Sequence, residues 1–206
     1  MEERKLKSSF GISAWDKLDE SSRVFLVSSK IMYNRLLLDA NMVDFSGVCL
    51  LVTKALEVEM TNRFYKDYCS YLREKSFRND TTMTWPSGLL NRHGKQMKCK
   101  EFTLGCLAYV LCYKHAENST EDQRKSDLLT LLEFAQEKLF IEQLIDEEMC
   151  KQLNQYAEWI EEVRNKYRNP SAHTNQLQQV QAANCFELIT DVEKILKIML
   201  DAFKPR

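Results

Sequence analysis

The chain has 206 residues, with 29 Lys and Arg against 30 Asp and Glu and a formal net charge of −1. That balance excludes a global electrostatic attraction to nucleic acid, so any such contact has to come from a local patch. Five glycines and three prolines are too few for the turns of an all-β fold or for the glycine loops of a dinucleotide-binding fold. A length of 206 residues suits a single domain over 1–206, with two small ones also possible, and a 44% hydrophobic content is that of an ordinary globular chain.

The opening stretch MEERKLKSSFGISAWDKL holds no apolar run of the signal-peptide kind, and no segment approaches a membrane span. The expectation is a cytoplasmic protein with no membrane partner. The seven cysteines are an odd number and stand mostly among apolar residues, as buried thiols do. Asn79 and Asn118 match the glycosylation pattern, which without an export signal reads as chance.

In chain order, Asp19 to about Leu38 is the first long predicted helix, followed by the turn DANMVDFSG. From Val48, the residues Leu51, Ala55, Val58, Tyr65, Cys69 and Leu72 recur at helical steps, with Asn62 in the missing place. Lys54, Glu57, Arg63 and Lys66 fall on the other faces. Residues 76–101 break the pattern with Asn79-Asp80, Pro86-Ser87-Gly88 and Gly94, and are expected to form a long loop insertion, functional or mobile. Helices resume at about 102–115, and again after the acidic turn Ser119-Thr120-Glu121-Asp122.

The last third is the most regular. A helix is predicted from near Asp146, with Met149, Leu153, Tyr156, Ile160, Val163 and Tyr167 on its apolar stripe. It should stop or kink at Arg168-Asn169-Pro170, because proline lacks a backbone donor and restricts the residue before it. A second stripe runs through Cys185, Ile189, Val192, Leu196, Met199 and Phe203. The expected architecture is an all-α bundle of about five to six helices with its core at about 19–203.

The stretch YRNPSAHT sets Arg168 and His173 either side of that break, with Arg168 ending one helix and His173 near the start of the next. On an unbroken helix, five positions would turn the two side chains about 140° apart. The turn can instead aim both into one cleft. An arginine fork binds phosphate and keeps its charge, a histidine moves protons near neutrality, and Asn169 adds a neutral donor and acceptor. Those groups supply what attack of an RNA 2′-hydroxyl on its own phosphodiester needs, without metal or cofactor. The bland alternative has Arg168 capping carbonyls at the helix end and His173 bonding across the turn.

RNKYRNPSAHT followed by VQAANCFELITDVEKILKIML resembles the C-terminal half of a HEPN domain, whose signature is Arg, a polar residue, a few residues, then His. Arg168, Asn169 and His173 match all three positions. The likeness is good over about 145–203, fair over 20–75 and absent over 76–101. It implies a metal-independent endoribonuclease with the sites of two protomers facing across a homodimer cleft. His173 would transfer protons, Arg168 would bind the phosphate and transition state, and Asn169 would support them. It implies a toxin or defence setting, with an antitoxin or a larger host protein as partner. Family toxins that are modified on a tyrosine two residues past the histidine differ here, where Asn175 stands. Other members bind nucleotide, RNA or protein without cleaving, which is the alternative reading.

Further cations are candidates for an RNA backbone. Arg92, Lys95, Lys98 and Lys100 lie in the insertion, beside His93, and Arg164 and Lys166 precede the motif. Each also reads as a solvated surface charge. Tyr167 could stack on a base, though its place in the stripe favours packing. Cys99, Cys106, Cys112 and His115 lack the paired spacing of structural zinc sites, so no metal is expected. Trp85-Pro86 reads equally as a partner anchor or a hydrophobic plug.

Overall fold

A computed structural model describes residues 2–38, 44–77, 89–90, 95–98, 101–111, 121–140, 145–173, 176–191 and 195–204, without the side chains of 76, 77, 109, 121–125 and 146. The chain is all-α. Its helices are α1 Glu2–Phe10, α2 Ile12–Lys17, α3 Glu20–Leu36, α4 Ser46–Met60, α5 Lys66–Phe77, α6 Leu104–Leu111, α7 Glu121–Phe134, α8 Asp146–Val163, α9 Asn169–Ala172, α10 Gln179–Thr190 and α11 Ile195–Ala202. π turns stand at Thr61–Tyr65, Ala135–Leu139 and Arg164–Arg168. There are more segments than the five or six expected, because two short helices open the chain and the π turns divide longer runs. Among the described residues no helix is long and apolar enough to cross a membrane.

The chain forms two compact units, one of residues 1–59 and 162–205, the other of residues 60–161. In the first, Gly11 at φ +92° turns the chain between α1 and α2, a conformation open to glycine at little cost. Phe10 and Trp15 then meet edge-on at 6.1 Å, and with Leu6 they are buried. The core therefore begins well before Asp19. Asp19 caps α3 by accepting from the Ser21 N–H at 2.8 Å, while its own N–H donates to the buried Glu59 carboxylate at 2.6 Å. Lys17 on α2 pairs with Asp201 on α11 at 3.1 Å.

The stripe expected on the helix from Val48 is only part of what is buried there. Val48 and Ala55 are, but so are Val52, Leu56, Glu57, Glu59 and Met60, and α4 is enclosed on almost every side. Cys49 on α4 and Cys185 on α10 share a thiol hydrogen bond, which with burial pushes the Cys185 thiol well above its ordinary value. Ile189, Leu196, Met199 and Phe203 are buried as their spacing predicts, whereas Val192 lies outside the described residues.

In the second unit, Phe64, Tyr68 and Phe134 form an aromatic cluster with ring centroids 4.8–5.8 Å apart. Met149, Leu153, Tyr156 and Ile160 of α8 are buried, and the helix starts at Asp146 as expected. The described parts of the 76–101 insertion carry structure that its composition concealed. Leu90 and Gln96 form an antiparallel bridge, the Met97 N–H donates to the Leu89 carbonyl at 2.9 Å, and Leu89 is fully buried.

Candidate functional site

The motif falls within the first unit, and its backbone departs from the sequence reading. The helical path neither stops nor begins anew at Asn169-Pro170. It passes through the π turn Arg164–Arg168, where the Asn169 N–H reaches back five residues to the Arg164 carbonyl, and continues as α9 to Ala172. Proline in an α-helix collides with the carbonyl four residues back and leaves it without a donor. The wider π turn immediately upstream re-aims those carbonyls, so Pro170 is accepted in the first turn of α9. The Ser171 hydroxyl donates to the Arg168 carbonyl at 3.0 Å. Three π turns occur among the described residues, so this one alone does not mark a site.

His173 closes α9 rather than opening the next helix, its N–H donating to the Pro170 carbonyl at 3.3 Å. The following helix, α10, starts six residues later. His173 is exposed, and its imidazole has no hydrogen-bond partner among the described residues. Asn169 is half-buried. The chain after His173 is tied back to α4. Leu177 is buried, its N–H donates to Asp44 Oδ1 at 3.1 Å and to Ser46 Oγ at 3.2 Å, and its carbonyl accepts from the Phe45 N–H at 2.9 Å. Burial opposes ionisation of Asp44, but hydrogen bonds from the Ser46 hydroxyl, the Ser46 N–H and the Leu177 N–H outweigh it. The carboxyl is held below its ordinary value.

Arg168 is 31% exposed at its side chain, and its Nε donates to Glu57 Oε1 at 3.4 Å. The other oxygen of Glu57 pairs with Lys54 Nζ at 2.8 Å. Glu57 is only 8% exposed, so the sequence reading that placed it on an outer face is corrected. The pairing engages one edge of the guanidinium. The terminal Nη groups meet no carboxylate among the described residues, which leaves the fork's outer edge for an anion.

The remaining candidates divide between the units. Arg164 is half-buried and Lys166 exposed in the first, with Lys166 paired to Glu162 at 2.8 Å. That pair is solvated and weak, and yields readily to a phosphate. Lys95 and Lys98 are exposed in the second unit, and Arg92 and Lys100 lie outside the described residues. Tyr167 is 7% exposed and burial raises its hydroxyl, so the ring packs in the core instead of offering a stacking face. Cys106 is half-buried, Cys99, Cys112 and His115 lie outside the described residues, and among the described residues no group of three His, Cys, Asp or Glu could hold a metal. No family model, curated protein or solved structure matches the chain.

Proposed function

We propose that the chain is a HEPN-like, metal-independent endoribonuclease acting through Arg168 and His173 at a homodimer cleft. The observation that carries this reading is the Arg168 guanidinium, held at its Nε by a buried carboxylate one short helical turn before a solvent-open His173. In the reaction, the RNA 2′-oxygen bonds to phosphorus as the bond from phosphorus to the 5′-oxygen breaks. One His173 takes the 2′-hydroxyl proton and the partner protomer's His173 gives a proton to the departing oxygen. Arg168 compensates the charge that builds on the phosphorane, and Asn169 contributes a polar contact.

A nucleotide-, RNA- or protein-binding module is the second reading. It is favoured by Glu57, which shares the arginine with any incoming phosphate, and by the imidazole's having no orienting partner among the described residues. Cleavage of single-stranded RNA in excess EDTA separates the two. Wild type should yield 2′,3′-cyclic phosphate ends, and His173→Ala or Arg168→Ala should slow the reaction by roughly 10²–10⁴. Intact RNA with wild type, or unimpaired variants, would remove the nuclease and leave the binding module.

A further inference from the structure

A cavity of about 390 Å³ opens in the second unit between α5 and residues 96–98. Lys66, Ser70 and Arg73 reach it from α5 and Lys98 from the facing segment, over a floor that includes Tyr65 and Met97. Spacings of four and three put Lys66, Ser70 and Arg73 on one helix face. Among the described residues no carboxylate lines the cavity. The Lys66 ammonium donates to a neutral acceptor, Asn62 Oδ1 at 2.7 Å, and among the described residues neither the Lys66 nor the Lys98 ammonium is in an ion pair, the Glu101 carboxylate being held by the Lys98 backbone N–H. Lys66 and Lys98 bring two like charges to one cavity. Their repulsion is relieved by an anion.

The facing segment is fixed in place. The Tyr65 hydroxyl donates to the Met97 carbonyl, Tyr65 stacks on Phe102 at 4.1 Å, and the Lys98 N–H donates to Glu101 Oε2 at 2.9 Å. We infer that this cavity binds a phosphate group, with Arg73 as the fork, Lys66 and Lys98 as point charges and Ser70 as a neutral donor. The phosphate can be carried by a small phosphorylated ligand or by an RNA backbone. The inference stands apart from the cleavage reading, so binding is measured on His173→Ala protein.

Two probes distinguish the sources, inorganic pyrophosphate and a single-stranded RNA dodecamer, each followed by calorimetry and by the rise in Tm. Saturable pyrophosphate binding, weakened about tenfold by Arg73→Ala and by Lys98→Ala and unchanged by Lys138→Ala, assigns a small phosphorylated ligand. RNA binding that responds to the same variants while pyrophosphate fails assigns the backbone. Arg73→Lys keeps the charge without the fork, and should fall between wild type and Arg73→Ala. No saturable binding of either probe at about 10 mM, or binding indifferent to these variants, overturns the site.

Discussion

A guanidinium that is to grip a phosphate has to be held still without being fully neutralised, and Glu57 is placed for that. It meets Nε and leaves the Nη edge, and Lys54 draws off part of its charge through the other oxygen. Arg168, Asn169 and His173 could be found in the sequence because they lie together in the chain. Glu57 could not, since its partner is 111 positions away and helical periodicity assigns it to the face of Lys54 and Arg63. The only hint is negative: apolar residues surround Glu57 on so many sides of α4 that an outer face scarcely exists. Glu57→Gln keeps the shape and a carbonyl acceptor but loses the charge-assisted bond, an interaction of about 1.5–3 kcal/mol in a desolvated pair. With partial exposure of Arg168 screening it, RNA cleavage should fall about tenfold in single-turnover assays, and Glu57→Asp should recover part of that. Faster cleavage by Glu57→Gln would instead make Glu57 a shield over the arginine.

At the scale of elements, apolar spacing located α8 and the burial of Tyr167, because side-chain burial follows the 3.6-residue period, whereas the single stripe read from Cys185 to Phe203 falls on two helices, α10 ending at Thr190 and α11 starting at Ile195. It could not show that Pro170 is carried by a π turn, since one extra residue in a turn leaves no compositional mark. Nor could it show how the chain is tethered beyond His173. That tether is Asp44, which accepts from the N–H of Ser46 at the start of α4 and from the N–H of Leu177 with one carboxylate oxygen. Removing it with Asp44→Ala should cost about 1 kcal/mol at pH 7. Asp44→Asn keeps the acceptor and isolates the charge. Because the folded-state carboxyl is held below its ordinary value, ionised Asp44 stabilises the fold above the unfolded pKa of about 3.9. That contribution shrinks as pH falls and is gone below the folded pKa. The Tm gap between wild type and Asp44→Asn should therefore be widest near neutrality and close in acid. A gap that widened on acidification would put the charge effect elsewhere.

For the whole molecule, the division at 59/60 and 161/162 could not be read in advance because no proline-, glycine- or serine-rich linker marks either point. What composition does determine is the long-range field. At net charge −1 the chain offers an incoming RNA no general attraction, and the cations near the motif are few. Along the motif they are Arg164, Lys166 and Arg168, of which Lys166 meets Glu162 and Arg168 meets Glu57, and Lys54 is already paired with that same Glu57. For single strands the logarithm of affinity falls with the logarithm of salt at about 0.7 per phosphate neutralised. Three cations thus predict a slope of about −2 for RNA bound to His173→Ala protein, with Lys166→Ala reducing it by about 0.7. Association should be correspondingly insensitive to ionic strength. A slope near −4, flattened by Arg73→Ala and Lys98→Ala, would mean that the cations of the second unit engage the same strand. One near zero would mean that Glu57 and Glu162 keep the first unit's cations for themselves, which is the behaviour of a protein whose ligand is not RNA.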